Sequence, residues 1–162
     1  SAPIIYLAKA KILDKLKEIK SENVILESVY KEVVEKGIEK GREDALYVEK
    51  LVRSGLFKVR SVDKRIDIFE KNKNLDSADI DVLSFCKLNK AIIISDDEEV
   101  RTAAEIENIE EHGSIYILFE LVRNKLITKQ LFKSIIDKMI NNGWYCSIEL
   151  YNYIINELNK QG

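Results

Sequence analysis

An α/β fold is what this sequence predicts, on three grounds. Helical periodicities alternate with short apolar runs bounded by turn residues, and no Pro-, Gly- or Ser-rich linker divides the chain. The run Ala91-Ile92-Ile93-Ile94-Ser95 stops at Asp96-Asp97 and reads as a core strand whose carboxyl end opens into a crevice, the usual ligand position of an open α/β sheet. In chain order, Ile4 to Ile19 carries apolar residues at Ile5, Leu7, Ala8, Ile12, Leu13, Leu16 and Ile19, a helical stripe beginning just after Pro3, which suits a first turn. Asn23 to Leu26 is a short buried strand. Glu27 or Ser28 caps a helix through Lys36, with Gly37 in the left-handed closing position. Gly41 to Arg53 is a helix ended by Gly55, Leu56 to Val62 a strand, and Asp63 to Asn74 a polar connection with at most a helical turn. Ser77 to Asn89 is a helix, Ala91 to Ser95 a strand and Glu98 to Asn108 a helix. From Ile115 onward the pattern is helical throughout: Ile115 to Asn124, Lys129 to Asn142 and Ile148 to Leu158.

Size and composition narrow the class. A chain of 162 residues reads as one domain over residues 1–162, long enough to bury a substantial core. Its 26 basic and 28 acidic residues give a net charge of −2, so no overall basic footprint for nucleic acid exists and any such contact is local. Cys86 and Cys146 fall in helical segments without C-x-x-C spacing, which reads as buried free thiols in a reducing compartment. No apolar run approaches the roughly 20 residues needed to span a bilayer, and no signal-peptide pattern is present; a cytoplasmic protein is the expectation.

The chemistry concentrates in carboxylates. Leu75-Asp76-Ser77-Ala78-Asp79-Ile80-Asp81 opens a helix, and Ser95-Asp96-Asp97 closes a strand. Hard divalent cations want oxygen ligands in such places. Asp79 is one helical turn before Val82 and Leu83 and two before Cys86, so its charge shares a face with an apolar stripe. Asp81 projects elsewhere. Glu32 borders the apolar face of its helix, beside Val33. The same residues also read as helix caps and solvated surface, because Asp is a favoured N-cap and the helix dipole favours acid in a first turn. His112 follows Glu110-Glu111 and reads as a loop residue without a catalytic part. Trp144 and Tyr145 read as an anchor for the last helix or as a surface on which bases stack.

Taken in order, these segments resemble the PIN domain family and, within it, the VapC-like toxin branch. The opening Ser1-Ala2-Pro3-Ile4-Ile5-Tyr6-Leu7 is similar to the segment after that family's first strand, Val29-Tyr30-Lys31-Glu32-Val33-Val34 to the helix carrying its second acidic ligand, Ala78-Asp79-Ile80-Asp81 to its third, and Ser95-Asp96-Asp97 to the end of its fourth strand. The resemblance implies a three-layer α/β/α PIN-like fold with a central parallel sheet, to which this chain adds C-terminal helices. It implies a ribonuclease that uses Mg²⁺ or Mn²⁺, possibilities for ligands being Glu32, Asp79 and Asp97 with Asp96 adjacent, and Asp81, Ser95 and Arg101 as secondary candidates. RNA as substrate, a toxin's role beside a protein antitoxin, and a homodimer are implied with it. The family's first strand would lie upstream of Ser1, so a central strand is expected beyond the amino end of this sequence.

Two other readings stand beside this one. A catalytically weak or inactive PIN-like module would serve as a binding partner. A flavodoxin-like binder of small molecules would need a glycine-rich phosphate loop after a strand; with glycine only at positions 37, 41, 55, 113, 143 and 162, none is visible. The apolar residues of the three C-terminal helices, among them Leu118, Leu121, Phe132, Ile136, Met139 and Ile154, outnumber what a small sheet covers and motivate the homodimer on their own.

Overall fold

The structure, a computed structural model, describes residues 2–161; Ser1, the first residue of the amino-terminal motif, lies outside them. Helix α1 spans Ala2–Lys9, and the single helix expected over residues 4–19 is broken after it. Lys11 adopts the left-handed conformation, φ 56°, and the chain re-forms as a tighter 3-10 turn over Leu13–Glu18. Residues three apart eclipse in that geometry, so Leu13 and Leu16 still face the core. Strand β1 is Asn23–Leu26. The expected cap at Glu27 or Ser28 is not formed: Leu26 occupies the N-cap position with no side-chain bond. Helices α2, Glu27–Tyr30, and α3, Lys36–Glu39, are joined by a π-helical turn over Lys31–Glu35.

Gly37 corrects a second expectation. It lies inside α3 rather than after a helix, and a Cβ built on it would stand 2.6 Å from Ala45 Cβ. Its lack of a side chain therefore lets α3 approach α4, Glu43–Arg53, while Gly41, φ +71°, supplies the left-handed turn between them. Strand β2, Phe57–Arg60, pairs parallel with β1 in the register Asn23 to Phe57 through Leu26 to Arg60. The polar connection beyond it holds one short helix, α5, Asp67–Glu70, pinned by the buried ring of Phe69. Helix α6, Ser77–Asn89, has the expected bounds. Strand β3 is only Ile93–Ile94 and pairs parallel with β4, Glu111–His112, across helix α7, Glu98–Ile106. Three helices close the chain: α8, Ser114–Arg123, α9, Lys129–Asn141, and α10, Ile148–Asn159.

The result is a mixed α/β fold whose strands form two separate parallel pairs, β1–β2 and β3–β4, among the described residues. Two apolar clusters match this division. The larger one gathers the 3-10 turn, β1, α4 and the C-terminal helices; the smaller gathers Phe69, Leu83, Ile93 and Ala104 from α5, α6, β3 and α7, and Val82 and Phe85 of α6 touch both. Leu118, Leu121, Phe132, Ile136, Met139 and Ile154 are buried within the chain itself. The fold thus covers most of the apolar surface that had suggested a second copy. Trp144 belongs to this core, while Tyr145 next to it is 84% exposed and Ile148 78%.

Candidate functional site

Asp79 owes its position to the start of α6. Asp76 is the N-cap: its carboxylate accepts the Asp79 N–H at 2.8 Å, and Asp79 Oδ2 accepts the Asp76 N–H at 3.1 Å. This reciprocal pair satisfies two amides that the helix leaves unbonded. Asp76 was not singled out from the sequence, although the Asp76-x-x-Asp79 spacing signals such a box. Asp79 itself is half-buried, and its pKa is raised above the ordinary 3.8 by burial, with the charges of Asp76 and Asp97 adding to the shift and the bond from the Asp76 amide opposing it.

Asp97 reaches the same region from α7. It is the N-cap of that helix, accepting the Val100 N–H at 3.1 Å, while its own N–H donates to Ser95 Oγ at 3.1 Å. Ser95 is fixed in turn by its N–H, which donates to the His112 carbonyl at 2.8 Å. Asp79 and Asp97 are thus brought into electrostatic contact at the amino ends of two helices, whose dipoles favour negative charge.

The other predicted residues are differently engaged. Asp96 turns to α8, where Oδ1 accepts the Ser114 N–H at 2.8 Å and Oδ2 the Ser114 hydroxyl at 2.5 Å; Ser114 is fully buried. A Cβ on Gly113 would stand 2.8 Å from Asp96 Oδ1, so glycine there admits the carboxylate. Asp96 therefore acts as a cap for α8 from a distant segment. Asp81 is held by Arg65 Nε at 2.7 Å, and Arg101 is ion-paired with Glu111. Glu32 stands exposed on the π-helical turn. His112 stacks on Tyr116 with ring centres 4.0 Å apart and lies 3.1 Å from Glu110. Of the basic residues, Arg42 is committed to Asp44, with Nη2 2.6 Å from Oδ2.

Among the described residues, no three His, Cys, Asp or Glu side chains stand together in a way that could hold one metal ion. What the fold does assemble is a pair of carboxylates, one half-buried and one exposed, each with one oxygen bonded to a helix amide and the other without a described hydrogen bond. Such a pair attracts a proton or a hard cation. No helix of the described residues is long and apolar enough to cross a membrane. No curated protein matches the sequence significantly. A family model described as a PIN domain matches residues 1–160, nearly the whole chain, and the protein accordingly belongs to the PIN domain family, whose members are generally nucleases.

Proposed function

We propose that the protein is a metal-dependent ribonuclease in which Glu32, Asp79 and Asp97 hold Mg²⁺ or Mn²⁺. The observation that carries this reading is the placement of Asp79 and Asp97 at the amino ends of two helices, each with one carboxylate oxygen bonded to a helix amide and the other without a described hydrogen bond; burial and the Asp97 charge, which raise the pKa of Asp79, agree with it. Carboxylate oxygens are hard ligands of the kind these cations prefer; Asp79 and Asp97 are in electrostatic contact, and Glu32 does not complete a three-residue group with them among the described residues. When bound, the cation would supply Lewis-acid activation of water and neutralise charge on the scissile phosphate. This chain's own residues do the positioning. The Asp76 amide aims Asp79, the Val100 amide aims Asp97, and the Ser95 hydroxyl orients the Asp97 backbone. Arg101 is engaged with Glu111, so contact with an RNA phosphate would require exchange of that ion pair.

The protein should cleave single-stranded or looped RNA with Mg²⁺ or Mn²⁺ and stop on addition of EDTA. Asp79→Asn should abolish cleavage and weaken Mn²⁺ binding measured by calorimetry. Cleavage that persists in EDTA or in the Asp79→Asn protein would refute the assignment. The finer parts of the proposal are a toxin's role beside a protein antitoxin, a homodimer and the three-layer α/β/α arrangement; the exposed Tyr145, Ile148 and Tyr153 near the carboxyl end offer a surface for such partners. A second reading, an inactive binding module, is favoured by the absence of a third clustered carboxylate among the described residues. Failure to cleave RNA or to bind Mn²⁺ would leave that reading standing.

A further inference from the structure

His112 and Tyr116 form a feature that the acid pair leaves unexplained. Their rings are almost parallel, with planes 7° apart and centres 4.0 Å apart. His112 ends β4 and Tyr116 stands in the first turn of α8, so a short strand-to-helix turn holds both rings. The Tyr116 N–H donates to the Gly113 carbonyl at 3.1 Å, and His112 Nε2 lies 3.1 Å from Glu110 Oε1, which fixes the imidazole. An aromatic pair that served the core alone would be covered, because its stabilisation comes from the area removed from water. This one is not: both residues are half-buried, and 34% of the His112 side chain is accessible. The pair also adjoins the acids. The His112 carbonyl accepts the Ser95 N–H at 2.8 Å, and Ser95 Oγ accepts the Asp97 N–H at 3.1 Å, so two hydrogen bonds lead from the His112 backbone to Asp97. Tyr116 and Asp79 line one cleft of about 650 Å³.

We propose that the His112–Tyr116 stack is a nucleobase-binding subsite, against which a single-stranded polynucleotide rests one base while its backbone runs past Asp79 and Asp97. The proposal rests on the reading of those acids as a nuclease centre and names what the same centre grips. Charge decides which part of a nucleotide meets the rings. Burial raises the Tyr116 pKa, and the charges of Glu120 and Glu110 add to the shift; Arg123, which opposes it, is ion-paired with Glu120. A phosphate placed there would meet like charge. A neutral base meets flat rings on its face and, at its edge, carboxylates able to accept from its exocyclic N–H groups. Every base has a π face, so stacking on aromatic side chains tolerates sequence. It does not tolerate pairing, because the bases of a duplex stay stacked on one another and only unpaired nucleotides can be splayed onto a side chain. The subsite therefore selects unpaired nucleotides without reading which base they carry.

Equilibrium binding in EDTA, read by fluorescence anisotropy, tests the subsite apart from cleavage. The probes are a short labelled single-stranded RNA and an abasic strand of the same length and backbone. The protein should bind the base-bearing strand at least about fivefold more tightly than the abasic one, the scale of one stacked base. His112→Leu should remove that preference while leaving affinity for the abasic strand within about twofold, and Tyr116→Phe, which keeps the ring and loses the hydroxyl, should retain it. The preference should be equal at about 50 mM and about 300 mM salt, since a contact to phosphate would weaken as salt rises. A preference that survives EDTA in a protein with no metal-dependent cleavage supports the subsite and counts against the nuclease reading alone. Equal binding of the two strands, no measurable binding of either, a preference that persists in His112→Leu, or one that is lost in Tyr116→Phe would each overturn the proposal, whether or not the protein cleaves RNA.

Discussion

Replacing Asp96 with alanine should destabilise the protein by about 3 kcal/mol, although Asp96 is adjacent to a candidate ligand and its sequence context reads as a metal site. The carboxylate accepts two bonds from one fully buried residue, the Ser114 amide at 2.8 Å and its hydroxyl at 2.5 Å. Bonds to a charged partner are worth roughly 1.5–3 kcal/mol each, and a buried donor left without a partner costs about 1–3 kcal/mol. These quantities overlap, because both bonds are lost in one event and water reaches part of the space vacated. About 3 kcal/mol is therefore the net expected, a large share of the roughly 5–15 kcal/mol that holds a domain together. Urea unfolding provides the assay. With a slope near 2 kcal/mol per molar, the midpoint should fall by about 1.5 M with the slope unchanged. Asp96→Asn keeps one acceptor and should lose about half as much. A cycle with Ser114→Ala isolates the hydroxyl bond, because the backbone amide survives that substitution. An Asp96→Ala protein within 0.5 kcal/mol of the parent, and one that has also lost Mn²⁺ affinity, would show that Asp96 serves as a ligand and not as a cap.

Two further outcomes follow from the same geometry. Because Asp79 has a folded-state pKa raised above 3.8, its contribution to stability is complete below that value and is lost as pH rises through the raised one. Asp79→Asn, which keeps an acceptor for the Asp76 amide, should therefore leave the metal-free thermal midpoint at pH 7 unchanged or higher, with any gain vanishing below about pH 3.8; a loss above about 1 kcal/mol would refute the assignment. Gly37→Ala forces a Cβ to 2.6 Å from Ala45 Cβ, and overpacking of about 1–3 kcal/mol should outweigh the roughly 1 kcal/mol gain in helix propensity. Chemical denaturation checks the net loss of about 1–2 kcal/mol, and a stabilised variant would show that α3 and α4 separate freely.

Helices were the legible part of this sequence and strand extents the illegible part. Ser77 to Asn89 could be read to the residue because its first turn is acidic and Val82, Leu83 and Cys86 recur at helical spacing, although the Asp76 cap that starts it was not singled out. The break after Lys9 could not, since Ile12, Leu13 and Leu16 stay buried in a 3-10 turn and keep a pattern that an α-helix would also give. Gly37 misled because a glycine that ends a helix and one that lets two helices touch look alike in sequence; only Gly41, φ +71°, distinguishes them. β3 shrank to two residues because its register with β4 pairs only Ile93 with Glu111 and Ile94 with His112, whereas hydrophobicity extends further. At the site, the carboxylates of Asp79 and Asp97 were legible as acids near helix starts. That Asp96 faces Ser114, eighteen residues away, was not, because nothing local in the sequence records a tertiary cap.

The electrostatics of the strand edge carry a further step. Asp76, Asp79, Asp96 and Asp97 each accept an amide hydrogen at a helix start. Helix amino ends favour such charges by typically 0.3–1 kcal/mol apiece, which is how a fold tolerates several acids in a short distance. If capping alone settled the matter, each acid would be comfortable in its charged form. Asp79 is not: burial and the charges of Asp76 and Asp97 prevail over the amide bond that opposes them. The backbone therefore fixes where Asp79 stands without offsetting the cost of its charge. This explains why the sequence admitted two readings, cap and ligand, without deciding between them. For Asp96 both oxygens are engaged by Ser114 and the cap suffices; for Asp79 and Asp97 one oxygen serves the helix and the other has no described hydrogen bond.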